Sequence, residues 1–322
     1  MNLFIFICQQ TLIFLVPLLL VGLGDLFSER SGVLNIALEG IMVFGAFAGI
    51  MFIRSASAAM PSWLVLLIAI LISILAGMLL SALHAFASIH LKAEQTISST
   101  AIITFATAFC IFYARVILGT EQVVFRNTFR IDAVPLLSKI PVLGPILFQK
   151  AYVTTYLGIL VLIVTAFILK RTRFGLRLRS CAGAGAGAAA QAADSVGISV
   201  YKMRYSGVLI SGALAGLGGL VFILPTTTTY TASVSGYGFL AMSVVVFGQW
   251  KPWGIALGAL FFGLTKTIAA SYSVIPFLYN LGIPEAFFKM LPYVATLIVL
   301  AFSTKRSNAP GVIGVPYDKS KR

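Results

Sequence analysis

Charge is scarce in this chain: only 10% of its 322 residues are Asp, Glu, Lys or Arg, and nine of those are acidic. A water-soluble globule needs far more polar surface, so a soluble fold is excluded. Cysteine is scarce too. Cys8, Cys110 and Cys181 lie far apart, the first two inside apolar runs, so neither a disulfide framework nor a metal site is suggested. The two histidines, His84 and His90, are isolated from other ligand types and read as interfacial polar residues. No Gly-x-x-x-x-Gly-Lys-Ser/Thr loop is present to cradle phosphates. Its nearest approach, Gly258 to Thr267, has the wrong spacing, since Leu264 and Thr265 separate Gly263 from Lys266. The ten-residue alternating strands of a membrane β-barrel are missing as well.

What the chain has is apolar sequence in long blocks. Hydrophobic residues make up 59%, and the mean hydropathy is +1.01. The blocks are Ile5 to Gly24, Val33 to Ile53, Ser62 to Leu83, Ala101 to Leu118, Tyr152 to Leu169, Val208 to Leu224, Phe239 to Phe247, Gly254 to Ala270 and Phe287 to Phe302. Most approach the ~20 residues a helix needs to cross a bilayer. They predict an all-α, polytopic inner-membrane protein with about nine transmembrane helices (eight to ten), some broken or re-entrant. The stretch Ser31 to Glu39 is the first candidate for such a break, and Phe239 to Phe247 is short enough to be another. No Lys or Arg precedes Ile5, and Asp25, Glu29 and Arg30 stand where a small-residue cleavage site would be expected. The first block therefore reads as a permanent span, not a signal peptide.

Orientation follows from the basic residues. Lys170, Arg171, Arg173, Arg177, Arg179, Lys202 and Arg204 share one polar segment, and Lys305, Arg306, Lys319, Lys321 and Arg322 share the tail. These are twelve of the 23 basic residues, and the positive-inside rule puts both segments in the cytoplasm. Five spans before the loop then leave the N-terminus outside. The net charge of +14 is a retention signal of this kind and calls for no nucleic acid, because no aromatic-interleaved basic surface accompanies it. The chain reads as one transmembrane domain over residues 1–304, with an external loop at 119–151, a cytoplasmic loop at 170–206 and a cytoplasmic tail at 305–322. The external loop carries Pro135, Pro141 and Pro145, with an amphipathic piece expected around Leu136 to Phe148.

Four stretches carry a resemblance. They read FSERSGVLNIALEGIMVFGAFA from Phe27, ADSVGISVYKMRYSGVLISGALAGLGG from Ala193, GYGFLAMSVVVFGQWKPWGIALGALFFG from Gly236 and LPYVATLIVLAF from Leu291. Spread over most of the chain, they resemble the permease subunits of bacterial ABC importers for branched-chain amino acids, simple sugars and nucleosides, and most of all the nucleoside type. The resemblance implies a subunit without its own ATP site or cofactor, embedded among membrane lipids. It also implies a separate cytoplasmic ATPase, a second homologous permease and an extracytoplasmic solute-binding protein. The family's coupling segment docks into the ATPase, and its match here is Gln191, Ala192, Ala193, Asp194, Gly197 and Ile198, within Gln191 to Val200. The Gly-x-Asn-Pro type turn expected just before it is replaced by the run Ala182 to Ala190. Three readings of that run stay open: an engineered replacement, small residues standing in for others, or a natural degenerate loop.

Ionisable groups inside apolar spans are expensive and normally face a cavity or a partner. Asn35, Glu39 and Lys266 are candidates for the solute pathway on that ground, alongside Gln95, Thr96 and Ser98 in a polar patch at the start of the fourth span. Each has a plainer reading: helix packing or capping for Asn35 and Glu39, snorkelling for Lys266, interhelical hydrogen bonds for the hydroxyls. Trp250 and Trp253 read as interfacial anchors. No catalytic or metal-ligating constellation is found. A secondary transporter using Glu39 or Lys266 as an ion relay, a channel and a membrane-embedded enzyme remain the competing classes. The topology is open to test: a cysteine in place of Ser320 should resist an impermeant thiol reagent added to intact cells, and labelling there would overturn the cytoplasmic tail.

Overall fold

The computed structural model describes residues 2–57, 59–126, 129–133, 138, 140, 144–183, 188–272, 275, 284–303, 309–311 and 313–318. The bundle opens with α1 (Asn2–Ser31), about 45 Å long at 1.5 Å per residue. It outruns the first apolar block by seven residues and carries Asp25 and Glu29 into the interior, where both are buried. The chain then breaks. Gly32 adopts φ 94° and closes the helix, its N–H donating to the Glu29 carbonyl (3.0 Å) while the Val33 N–H reaches back to Ser28 (3.2 Å). This is the paired hydrogen bond of a glycine C-cap, open to glycine because a Cβ disfavours that φ. The Ser28 hydroxyl donates to the Val33 carbonyl (2.8 Å) and secures the turn.

Residues 32–37 run without regular helix through the bundle before α2 (Leu38–Ser55) begins. Helices α3 (Ser62–Ala85), continued by a π-helical turn at Phe86–His90, and α4 (Gln95–Leu118) follow. Helix α4 starts on a capping carboxylate, since Glu94 accepts the Thr96 and Ile97 N–H groups at 3.0 and 2.7 Å. These bonds, with Ile97 foremost, hold the Glu94 carboxyl below its ordinary range. After α5 (Val153–Arg171) come two short helices, α6 (Arg173–Ser180) and α7 (Ala188–Ser195). Then follow α8 (Val200–Thr226), the half-length α9 (Tyr237–Phe247), α10 (Pro252–Ala270) and α11 (Glu285–Ser303). Seven of these helices are long and apolar enough to cross a membrane, and α9 and α11 contribute shorter apolar stretches. The protein is therefore a polytopic helical membrane protein.

Elements α1 to α4 and α8 to α11 follow one order: a long helix, an irregular break, a helix starting inside the bundle and two further helices. The two halves run in opposite directions. Gly207 lies against Phe27 and Ser31, Gly24 against Ser211, and Gly218 against Pro17 and Val21, which fixes α1 antiparallel to α8. Such inverted repeats with broken helices are a common transporter architecture.

The loop between α4 and α5 is more structured than its polarity suggests. Strand β1 (Val123–Val124) pairs antiparallel with β4 (Thr229–Tyr230), and β2 (Arg130–Ala133) with β3 (Gln149–Tyr152). The expected amphipathic piece is a π-helical turn at Gly144–Phe148 where described, and Gln9 ties it to α1 through Nε2 and the Pro145 carbonyl (2.7 Å). Pro135, Pro141 and six of the eight residues from Leu136 to Leu143 lie outside the described residues, as do Lys305, Arg306, Lys319, Lys321, Arg322 and the centre of the Ala182 to Ala190 run.

Helices α2, α3 and α8 meet through glycine. A Cβ on Gly216 would overlap the Ser73 carbonyl of α3 and touch Gly77, while one on Gly45 would overlap Gly216 itself. In a bilayer, where helix association depends on close van der Waals packing, backbone contact of this kind replaces the hydrophobic drive. Gly216→Val should force the three helices apart at a cost of about 1–3 kcal/mol or more. Thermal unfolding in detergent should show a clearly lower midpoint; an unchanged midpoint would refute this packing.

Candidate functional site

The two breaks meet. Helix α9 begins inside the bundle, and its first N–H groups would be orphaned there without a partner. Glu39, one residue into α2, supplies it: the carboxylate accepts the Gly236 N–H at 2.9 Å through Oε1 and the Gly238 N–H at 2.7 Å through Oε2. A negative charge at a helix N-terminus also complements the helix dipole. Gly238 is required by contact, since a Cβ there would overlap the Glu39 backbone. Tyr230, in the second break, donates its hydroxyl hydrogen to the Val43 carbonyl of α2 (2.6 Å) and so ties the same two segments again.

The first break is held from the other side. The Leu34 N–H donates to Gln95 Oε1 (2.7 Å), and Asn35 Nδ2 donates to the Ser211 hydroxyl of α8 (3.0 Å). His84 Nε2 donates to the Leu34 carbonyl (3.1 Å), leaving Nδ1 of the neutral ring to accept from the Ser98 hydroxyl (3.1 Å). His84 is fully buried, which corrects its reading as an interfacial residue. His90 is exposed and bonds the Tyr205 hydroxyl (2.6 Å).

Asn35, Glu39, Gln95 and Ser98 are thus brought together around the breaks and bound to backbone or side-chain partners. Three polar atoms there, Asn35 Oδ1, Gln95 Nε2 and Ser99 Oγ, are buried and have no protein partner among the described residues. Thr96 stands apart, on an exposed face of α4 that continues through Thr100 and Thr104. Thr100 and Thr104 each donate to the carbonyl four residues back (2.8 and 3.0 Å), which lets hydroxyls sit on a membrane helix.

Lys266 lies in the other half, with Nζ 5.6 Å from the ring centres of both Tyr237 and Tyr293. One turn along, a cavity of about 290 Å³ opens between α1, α9, α10 and α11, lined by Phe239, Ser243, Phe247, Phe262, Thr296 and Glu29. Three aromatic rings with a few polar groups suit a small solute bearing a planar ring.

Asp25 and Glu29 escaped sequence reasoning because they looked like the polar edge of the first span. Their spacing of one helical turn, on the same face as the apolar residues before them, was the available signal. Asp25 is fully buried with both carboxylate oxygens unpartnered among the described residues. Glu29 accepts the Trp250 indole N–H, and Arg30 donates to the Trp250 carbonyl (2.8 Å). Trp250 is therefore a buried strut, not the interfacial anchor expected, whereas Trp253 is exposed as a membrane-belt residue would be.

At the basic end of the bundle, α7 carries Gln191 and Ala192 on its exposed face and buries Ala193. Gly197 at φ 84° closes it, with Gly197 N–H to Asp194 (3.0 Å) and Ile198 N–H to Ala193 (3.0 Å). Val196 at the resulting corner is 74% exposed. Asp194, Gly197 and Ile198 are thus the residues that form this cap.

Inverted halves, paired internal breaks and a short helix displayed at the basic end define a membrane transport subunit. Residues 7–300 match the family described as branched-chain amino acid transport system, permease component. The chain belongs to this family: it is a multi-pass permease subunit of the inner membrane and not an enzyme. It is 42% identical to the guanosine ABC transporter permease NupQ of Bacillus subtilis over 98% of this chain and 97% of that one. Identity to the nucleoside ABC transporter permease NupC of Lactococcus lactis is 39%, with 98% and 97% covered. NupB of the same organism is 29% identical over 42% of this chain and 35% of its own length. No solved structure matches the chain.

The Glu39 geometry makes a distinction that experiment can draw. Glu39→Ala should leave the α9 N-terminus unpaired and cost about 1–3 kcal/mol, read as a lower unfolding midpoint, while Glu39→Gln should recover part of that stability through its amide oxygen. A residue serving only to touch solute would instead weaken uptake with the midpoint unchanged.

Proposed function

We propose that this chain forms one half of the translocation pathway of an ATP-driven nucleoside importer. The observation that carries the reading is the end-to-end similarity to permeases named for guanosine and nucleosides, in both cases over at least 97% of either chain. The cavity walled by Phe239, Phe247 and Phe262 supports it, because a nucleobase presents a flat ring for stacking, while Ser243, Thr296 and Glu29 in the same wall offer partners to ribose hydroxyls and a base edge. On this reading Lys266, Thr96 and the unpartnered atoms at Asn35 and Gln95 are the pathway's polar contacts, and Glu39 holds the path open by fixing α9.

The basic end, with α6 and α7, is the cytoplasmic face. A cytoplasmic ATPase subunit docks on α7 through Gln191, Ala192 and the exposed Val196, with Ala193, Asp194, Gly197 and Ile198 shaping the helix beneath. A second homologous permease, of which NupB is a model through its partial similarity, completes the pathway. An extracytoplasmic binding protein delivers the solute to the opposite end.

Reconstituted with these partners, the chain should take up radiolabelled guanosine or uridine only when ATP is supplied on the ATPase side. Unlabelled nucleosides should compete, and free ribose or leucine should not. Uptake driven by an ion gradient without ATP would overturn this reading in favour of a secondary transporter.

A further inference from the structure

Residues 309–311 and 313–318 cross the basic end of the bundle and are held by four separate parts of the fold. The Gly311 N–H donates to the Ala182 and Gly183 carbonyls, both at 3.1 Å, at the start of the segment leading into α7. The Gly314 N–H donates to the Gly32 carbonyl (3.2 Å), at the glycine that ends α1. Arg204, in the first turns of α8, donates from Nη1 to the Val315 carbonyl (2.9 Å), and its guanidinium lies 6.0 Å from the Tyr317 ring centre. Asp318 forms an ion pair with Lys92, just before α4, at 3.0 Å.

Tyr317 is the centre of this arrangement. Its ring packs with Cys181, Ala190, Ala193 and Val200 in a small buried cluster of its own, and meets Tyr201 edge-on at 5.5 Å. Ala190 and Ala193 form the buried face of α7, so the side of that helix turned away from its exposed residues rests on Tyr317. The small side chains explain how the ring comes so close. Arg204 is 1% exposed, an expensive position for a guanidinium unless it is paired, and the Val315 carbonyl is the hydrogen-bond acceptor it finds.

We propose that residues 309–311 and 313–318 are a transmission strap joining α7 to the break between α1 and α2. Resting on the ABC reading above, the proposal adds a route within this chain. A push on α7 from its ATPase partner passes through Tyr317 to the strap, and through Gly314 to Gly32. Two residues further on, Leu34 is clasped by Gln95 and His84. Helix α7 also packs against α6 and α8, and the strap backs its buried face beside them. Coupling of this kind needs contiguous, closely packed contacts, which the strap supplies.

The test uses the complete assembly of this chain, second permease, ATPase and binding protein. Tyr317→Ala should assemble and hydrolyse ATP at the unstimulated wild-type rate. Stimulation by guanosine-loaded binding protein, and guanosine uptake, should fall about tenfold, and Tyr317→Phe should restore both. Lys92→Glu, on the surface and compatible with folding, should impair stimulation in the same sense, and the swapped pair Lys92→Glu with Asp318→Lys should recover it. Wild-type stimulation in the variants would overturn the strap alone. So would a fall in assembly and unstimulated hydrolysis in equal proportion, since that is the mark of a tail that only stabilises. An unmodified assembly in which guanosine stimulates nothing would overturn the transport reading as well.

Discussion

A backbone that leaves the helical state inside a membrane must find partners for every N–H and C=O it exposes, and no water is there to provide them. Among the described residues this chain leaves the helix twice at depth, after Ser31 and before Tyr237, and the two breaks are set against each other. Glu39 from one break caps the helix of the other, and Tyr230 from the second bonds the Val43 carbonyl in the helix after the first. Helix α1 runs antiparallel to α8, so the two breaks leave from opposite ends of that helix pair and meet where α2 and α9 begin. The glycine contacts among α2, α3 and α8 are what allow the backbones to come close enough.

The same constraint is the physical ground for the pathway proposed above. Irregular backbone at membrane depth is tolerated where it is enclosed by protein or lines a cavity, and an enclosed region of this kind is where unpaired polar atoms accumulate. Asn35 Oδ1, Gln95 Nε2 and Ser99 Oγ are in that position. On the proposed reading, those atoms and the ring faces of Phe239 and Phe262 in the neighbouring cavity are the groups a passing solute would meet.

Much of this was legible in the sequence, and the boundary of legibility is physical. The nine apolar blocks correspond to α1 to α5 and α8 to α11, and the break at Ser31 to Glu39 announces itself through Gly32 and the loss of helical continuity. Hydropathy registers both because they are local properties. It misplaced the ends of α1, α4 and α8, which extend through polar residues whose partners lie far along the chain. Asp25 and Glu29 look like a membrane edge until the Trp250 indole is found beside Glu29. The strands β1 and β4 pair residues more than a hundred positions apart and are too short to leave a pattern of their own. Of the site, the residue types at Asn35, Glu39, Gln95 and Ser98 were identifiable, but their division into structural ties and accessible groups was not, because that depends on which backbone atom lies opposite.

The run from Ala182 to Ala190 shows how far such local reasoning misleads. Read alone, alternating glycine and alanine offer little to bury and weaken a helix, so the segment looks like the loss of a functional turn. Its described ends are nevertheless occupied: the Ala182 and Gly183 carbonyls accept from Gly311, and Ala190 is buried in the cluster around Tyr317. Larger side chains at Ala190 or Ala193 would displace that ring and, with it, the segment bonded to Gly32. Smallness at these positions is therefore a packing requirement set by a part of the chain more than a hundred residues away. The exposed face of α7 is free of that requirement, which is why the two faces of one eight-residue helix obey different rules.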